Sequence, residues 1–213
     1  METIISPLDD KDWYIKKELI IEPTRIYYNM PVAIMMDWEH PLMSASAAYV
    51  CKGGGDILEV GFGMGISAGY IQSHSISSHT IIENHPQIIP LAQEWAKNKP
   101  NVTIISGSWY DVYKANKLST YNGVFFDPHN DGTFVHFSSS LSSWVKPGGR
   151  ATWWNEFPTG SVGGHSGNIY NIPNVEYDVI EVSQSGDKLQ HQYFAPPEYR
   201  LNNSNYWLPK KQF

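Results

Sequence analysis

Several acidic residues stand next to apolar or glycine-rich segments, where a carboxylate is costly to bury without a partner. Glu39 lies in the apolar stretch MMDWEHPLM, and Glu59 stands two residues before Gly61 in DILEVGFG. Glu83 ends the run HTIIE, and Asp127 follows the run GVFF. A carboxylate in such a place can bind a cation or accept hydrogen bonds from hydroxyl groups. These residue types therefore indicate a ligand site.

Glycines between two of these acids predict a turn that a ligand can approach closely. Gly61, Gly63 and Gly65 follow an apolar run and precede a helix-like segment, MGISAGYIQSHS. Glu83 comes 20 residues after Gly63, at the end of the next apolar run. A carboxylate there can accept hydrogen bonds from both hydroxyls of a ribose. The glycines alone fit a plain tight turn equally well, but together with Glu83 they predict a nucleotide-type ligand, and we include Asn84 in that site.

The apolar runs alternate with helical stripes, which predicts the framework around the site. Five runs read as strands, and they are DILEV, HTIIEN, NVTIIS, YNGVFF and RATWWNEF. Helical patterns precede or separate them, and examples are PLMSASAAYVCK before the first run and PQIIPLAQEWAKNKP between the second and third. This rhythm is typical of an α/β fold with a parallel sheet. The later segments VEYDVIEV, HQYFAP and NYWLPKKQF alternate like strands and predict an antiparallel C-terminal hairpin.

Length and composition favour one domain and narrow the possible partners. The chain has 213 residues, of which 41% are hydrophobic and 17% charged. We divide it into an N-terminal lid or substrate segment (1–40), a cofactor-binding core (41–157) and a loop with a C-terminal hairpin (158–213). Residues 1 to about 30 read as a polar lead-in, and 158–174 as a Gly-rich loop. A net charge of −6 disfavours nucleic acid, and no apolar segment is long enough for a membrane helix.

The metal-binding residue types do not form a recognisable site. Cys51 is the sole cysteine, which excludes an intrachain disulfide and a cysteine-based zinc site, and it weakly favours the cytoplasm. The eight histidines form no H-E-x-x-H motif. We therefore expect no metal, a small-molecule partner, and an oligomeric state that the sequence leaves open.

The glycine motif resembles motif I of the S-adenosylmethionine-dependent methyltransferases. In LEVGFGMG the third glycine comes too early for the G-x-G-x-x-G pattern of dinucleotide folds. The resemblance implies a Rossmann-like methyltransferase fold and S-adenosylmethionine as cofactor. Glu59 is tolerable there because this cofactor carries a positive sulfonium and a positive amino group. Ser108 and Trp109 stand where these enzymes hold adenine, and the indole could stack on it.

Residues 25 to about 155 resemble a narrower group within these methyltransferases. The segments WEHPLM, LEVGFGMG, HTIIENH, SGSWYDV, GVFFDPH and KPGGRATWWN resemble guanidinoacetate N-methyltransferase and the fungal-type protein arginine N-methyltransferases. It implies that Glu39 and Asp127 clamp a guanidinium, a planar fork of N–H donors that carboxylates match. One of these two carboxylates can then accept the proton that the methylated nitrogen loses. Trp38 and Met43 would form the wall around Glu39.

Residues at other positions do not identify the molecule that accepts the methyl group. His129 stands where the guanidinoacetate enzyme has a tyrosine, and it fits a catalytic base, a substrate contact or a surface residue. DPH also partly resembles the D/N-P-P-Y motif of amino methyltransferases. Asn155 and Glu156 stand at the acceptor end, where the acidic Glu156 would repel a substrate carboxylate.

We therefore expect N-methylation of a small guanidino or amino compound. The alternatives are a protein arginine N-methyltransferase and a catalytically silent cofactor-binding module. An NAD-dependent oxidoreductase is disfavoured by the glycine spacing.

Overall fold

The computed structural model describes residues 12–29, 32–129, 136–155, 172–182 and 205–213. Near its start, three short strands form an antiparallel sheet in the order β1 (Ile20–Glu22), β2 (Arg25–Asn29) and β3 (Val32–Met36). The sequence predicted a polar lead-in here, and that prediction was wrong. Strands of three to five residues, with register shifts between β2 and β3, are too short and irregular to show a clear alternation.

A seven-stranded sheet forms the core of the fold. Its strands are β4 (Asp56–Val60), β5 (Ser78–Glu83), β6 (Val102–Ser106), β7 (Tyr121–Phe126), β8 (Val145–Trp153), β9 (Glu176–Glu181) and β10 (Asn205–Gln212). The spatial order is β6-β5-β4-β7-β8-β10-β9. The first five strands pair in parallel, while β10 pairs antiparallel with both β8 and β9. The predicted fold class is confirmed, while HQYFAP lies outside the described residues.

In the described residues, five α-helices connect or flank these strands. They are α1 (His40–Val50), α2 (Ile66–Gln72), α3 (Ile89–Ala96), α4 (Trp109–Lys114) and α5 (Phe137–Leu141). Helix α1 begins with Pro41 in its first turn, where the missing N–H costs nothing. One face of α1 is buried, and it consists of Leu42, Met43, Ser46, Ala47 and Val50. In the described part of the chain, no helix is long and apolar enough to cross a membrane.

The registers bring the carboxyl ends of the central strands to one edge. Val60 of β4 pairs with Ile82 of β5 and with Phe126 of β7, and Phe126 pairs with Trp153 of β8. The strand order reverses between β4 and β7, and such a reversal opens a ligand crevice in α/β sheets. The predicted site residues at this edge are Gly61, Glu83 and Asp127.

Candidate active site

The turn after β4, residues 61–65, needs glycine for both its conformation and its packing. Gly61, Gly63 and Gly65 have φ angles of +93°, +53° and +75°, which side-chain-bearing residues rarely adopt. A Cβ at Gly61 would overlap the carbonyl oxygen of Asp127, and one at Gly63 would lie 2.6 Å from the sulfur of Met35. This glycine turn therefore lies directly against the strand end that carries Asp127.

Glu83 fastens the glycine turn to β5 through main-chain hydrogen bonds. Its Oε2 accepts the Phe62 N–H at 2.8 Å, and its Oε1 accepts the Asn84 and His85 N–H groups at 2.8 Å each. The Gly63 N–H also contributes. Burial raises the pKa of this carboxyl, which is 5% exposed, and these donors oppose that rise. A carboxylate accepts about four such bonds, and four main-chain N–H groups already donate to Glu83. Its contact with a ribose stays a prediction, and the carboxylate oxygens would have to share their acceptor positions between these N–H groups and the ribose hydroxyls.

Replacing Glu83 by glutamine should destabilise the protein by roughly 1–3 kcal/mol, because the amide NH₂ cannot accept a buried backbone N–H. Urea unfolding of E83Q and wild type measures this difference. The matched control is E94Q on the exposed side of α3, where Glu94 pairs with solvent-exposed Lys97 and a change within about 0.5 kcal/mol is expected. Equal unfolding midpoints for both variants would contradict this account of Glu83.

Glu59 lies underneath the glycine turn. Its side chain is fully buried, and its Oε1 accepts a short hydrogen bond from the Ser67 hydroxyl of α2. Its Oε2 lies 2.9 Å from Nε2 of buried His79 on β5. The structure gives no support to direct contact between Glu59 and the cofactor. The carboxylate instead joins β4, β5 and α2, and its charge also reaches Asp127.

Glu39 and Asp127, the carboxylate pair, come together from distant parts of the chain. Asp127 follows β7 and is half-buried, while Glu39 is 4% exposed just before α1. The Glu39 Oε1 accepts the Met36 N–H at 2.9 Å, and its Oε2 accepts the Trp154 indole N–H at 3.2 Å. Burial, and then the negative charges of Glu39 and Glu59, raise the pKa of Asp127 well above its usual range. A cation bound here would relieve the repulsion between these negative charges, so the site favours a cationic ligand.

This pKa predicts that the stability of the ligand-free protein falls as pH rises. The folded protein keeps a proton on Asp127 that the unfolded chain releases near its ordinary pKa of about 3.9. The stabilising contribution is therefore complete below that pH and is lost as pH rises through the raised folded-state pKa. Urea unfolding of the wild type between pH 4 and 8 should show this loss of stability as pH rises. D127N should lose less stability than the wild type over this range, and identical pH profiles would contradict the raised pKa.

His129, two residues after Asp127, lies among aromatic rings of the N-terminal segment. Ring centroids of Trp13, Tyr14 and Tyr28 lie 6.4, 4.8 and 5.7 Å from that of His129. Tyr14 also packs on His85 at 4.8 Å. Residues 13–28 therefore cover this edge of the sheet beside Asp127. The proposed role of His129 as base or substrate contact stays a prediction.

Two side chains that follow β5 form hydrogen bonds with main-chain atoms of the N-terminal segment. The Gln87 side chain accepts the Leu19 N–H at 2.7 Å and donates to the Leu19 carbonyl at 3.1 Å. His85 Nδ1 accepts the Gln87 N–H at 3.2 Å, so its Nε2 carries the proton donated to the Lys17 carbonyl at 3.1 Å. Burial lowers the pKa of His85, which favours this neutral form. The segment therefore joins the strand that carries Glu83.

Two predicted ligand contacts are core residues in this structure. Trp109 is 1% exposed and packs edge-on against Phe126 and Trp144, both at 5.2 Å between centroids. Sequence reasoning placed its indole at a strand end, but helix α4 begins at Trp109 and turns the ring inward. Met43 is 0% exposed on the buried face of α1. Stacking by Trp109 and substrate contact by Met43 therefore receive no support.

The other predicted contacts lie near the edge. Ser108 is half-buried at the start of α4, and Asn84 is half-buried beside Glu83. The Trp38 indole N–H donates to the Met36 sulfur at 3.2 Å, and the Asn155 amide donates to the Trp207 carbonyl at 3.2 Å. Glu156 lies outside the described residues.

Sequence reasoning missed residues that hold the site in place, chiefly Trp154, His85 and Gln87. Their partners are distant in sequence: 115 residues separate Trp154 from Glu39, and 68 separate Gln87 from Leu19. No local pattern signals such contacts. Within the described ranges, no group of three or more His, Cys, Asp or Glu side chains is arranged to hold a metal ion.

Comparison with known proteins agrees with this geometry. A family model of guanidinoacetate N-methyltransferase matches residues 22–155, which is well over half of the chain. The chain belongs to this family. The match spans β2 and β3 of the small N-terminal sheet, the glycine turn and both members of the carboxylate pair. The predicted family is confirmed, and with it the class of S-adenosylmethionine-dependent methyltransferases.

Curated relatives and solved structures extend the comparison. Protein arginine N-methyltransferase 2 of Candida glabrata is 34% identical over 139 residues, covering 62% of this chain and 33% of that protein. The protein of the same name from Eremothecium gossypii is 31% identical over 159 residues, covering 68% and 38%. The chain spans about a third of the length of these relatives. A structure assigned as a methyltransferase and complexed with SAH has a TM-score of 0.59 at 10% identity, over 93% of this chain and 56% of that one, and it supports the fold.

Proposed function

We propose that this methyltransferase transfers a methyl group to a nitrogen of a small guanidino or amino compound. The observation that carries the proposal is the carboxylate pair. Glu39 and Asp127 lie close enough for their charges to interact, at the strand edge that also carries the glycine turn. A guanidinium offers N–H donors in a planar fork, and two carboxylates can bind it on two sides.

The residues around the glycine turn fit S-adenosylmethionine. A Cβ at Gly61 would overlap the Asp127 carbonyl oxygen and one at Gly63 would meet the Met35 sulfur, so only glycines let the turn pack this closely against the strand end that carries Asp127. Glu83 and Asp127 flank the turn, and carboxylates suit a cofactor with positive groups better than a pyrophosphate. We propose that Gly61, Gly63, Glu83 and the neighbouring Asn84 hold the cofactor. The S-adenosylmethionine bound there supplies an electrophilic methyl group, whose bonding pair stays on sulfur.

The carboxylate pair would prepare the acceptor nitrogen. A guanidinium has a pKa above about 12 and is a poor nucleophile while its charge is delocalised over three nitrogens. Hydrogen bonds to Glu39 and Asp127 would localise the positive charge on two nitrogens and leave electron density on the third. Asp127, whose pKa is raised, would then accept the proton that the attacking nitrogen loses. Alignment of the reacting atoms would supply much of the remaining rate enhancement.

A second candidate is methylation of arginine side chains in a protein. The names of the fungal relatives favour it, and an arginine side chain ends in the same guanidinium. Those relatives are about three times as long as the matched region, so only their matched third supports this candidate. The carboxylate pair fits both acceptors, and an assay must separate them.

Two measurements test the proposal. Calorimetry with S-adenosylmethionine, S-adenosylhomocysteine and NAD should show binding of the first two only. Transfer of a labelled methyl group should then be measured to guanidinoacetate, free arginine, methylguanidine, small amines and an arginine-containing peptide. Turnover with a small guanidino or amino compound supports the proposal, and turnover with the peptide alone supports the second candidate. Absence of binding by both adenosyl compounds would refute the enzymatic assignment.

A further inference from the structure

Trp154 joins the two members of the carboxylate pair. It directly follows β8, and its backbone N–H donates to the Phe126 carbonyl at 3.2 Å. Phe126 is the last residue of β7 and precedes Asp127, whose own N–H donates to the Val60 carbonyl at 2.9 Å. The backbone of Trp154 is therefore fixed relative to that of Asp127.

The side chain of Trp154 reaches the other carboxylate. Its indole N–H donates to Oε2 of Glu39 at 3.2 Å, while the Met36 N–H donates to Oε1 at 2.9 Å. One donor on each oxygen fixes the plane in which the carboxylate lies.

Neighbouring rings set the orientation of the indole. Tyr206 of β10 is 0% exposed, and its ring lies 6.1 Å from that of Trp154 at an angle of 62°. The same tyrosine lies 5.3 Å from Trp38, the residue before Glu39. Trp154, Tyr206 and Trp38 thus form a continuous set of contacts that returns to Glu39.

We propose that Trp154 is a positioning residue that orients Glu39 toward Asp127 for binding of the acceptor cation. This inference rests on the proposed function. The indole N–H is a neutral donor, so it directs the carboxylate without cancelling its charge. A lysine or arginine in its place would pair with Glu39 and compete with a cationic acceptor.

The hydrogen bond itself is tested without any substrate. In a ¹⁵N spectrum, the indole resonance of Trp154 is assigned by its loss in W154F, or by a nuclear Overhauser contact to Tyr206 if W154F does not fold. In E39Q this resonance should move more than the indole resonances of the other seven of the eight tryptophans. An unmoved resonance would overturn the proposal, whatever the enzyme methylates.

The positioning role is tested by binding of methylguanidine to protein saturated with S-adenosylhomocysteine. W154F should weaken methylguanidine binding about tenfold, with the affinity for S-adenosylhomocysteine unchanged. W154H should recover part of the loss, because Nε2 of histidine can occupy the position of the indole nitrogen. The control is W144F in the core, where the indole N–H has no hydrogen-bond partner among the described residues, and full affinity is expected.

The outcomes distinguish the positioning role of Trp154 from the proposed guanidino acceptor. Equal methylguanidine affinity in W154F and wild type would overturn the positioning role. If the indole resonance moves in E39Q but methylguanidine does not bind the wild type, the orientation of Glu39 by Trp154 is supported and the guanidino acceptor is rejected.

Discussion

An Asp127→Asn variant is expected to transfer methyl groups about 10²- to 10⁴-fold more slowly than the wild type, with unchanged affinity for S-adenosylhomocysteine. The amide keeps the size of the side chain but cannot accept the proton from the acceptor nitrogen. It also removes one of the two negative charges that bind the cation. Single-turnover measurement of labelled methyl transfer gives the rate, and calorimetry gives the affinity.

The pH dependence of the methyl-transfer rate tests the same role of Asp127. In the wild type, the rate should rise with pH through the raised pKa of Asp127, because only the ionised carboxylate can take the proton. The residual rate of D127N should not follow that rise. Asp111→Asn, on the exposed side of α4, is the matched control and should keep full activity. Wild-type rates in D127N would exclude Asp127 as the proton acceptor.

A Gly61→Ala variant is expected to lose both stability and binding of S-adenosylhomocysteine. Alanine at a φ of +93° costs roughly 1–2 kcal/mol, and its Cβ would overlap the Asp127 carbonyl oxygen. The overlap must displace either the glycine turn or the end of β7. We expect an additional loss of about 1–3 kcal/mol, as for overpacking in a core, and at least a tenfold weaker affinity.

Gly148 provides the control for this experiment. It has a φ of +78°, but a Cβ there would meet nothing within 4 Å. Gly148→Ala should therefore show only the conformational cost of about 1–2 kcal/mol, with the affinity for S-adenosylhomocysteine unchanged. Urea unfolding and calorimetry measure both properties in each variant. Equal losses in the two variants would show that the contact between Gly61 and Asp127 is unimportant.

Local patterns in the sequence were sufficient for the central strands and the glycine turn. Strands β4 and β7 are mostly apolar runs that are buried except at one residue each, as parallel strands covered on both faces require. The glycines at 61, 63 and 65 followed from their place between a strand and a helix. By contrast, Glu39 was assigned only through resemblance to a family, because nothing near it in sequence reveals that Asp127 lies close in space.

What the sequence could not provide depends on distant packing. From the sequence, the ring of Trp109 was expected to lie at the ligand crevice. Only its packing against Trp144 and Phe126 shows that the ring is buried in the core. The hydrogen-bond partners of Glu83 were also missed. Backbone N–H groups leave no signature in a sequence, since every residue except proline carries one.

The attachment of the N-terminal segment has a consequence for how this family can vary. His85 and Gln87 hold the Lys17 carbonyl and the main-chain N–H and carbonyl of Leu19. The identities of residues 17 and 19 do not enter these bonds. Relatives can therefore exchange Lys17, or replace buried Leu19 by an apolar residue other than proline, and keep these hydrogen bonds, whereas a change at His85 or Gln87 would remove them. Evolutionary constraint on this contact should accordingly fall on one partner, the segment after β5.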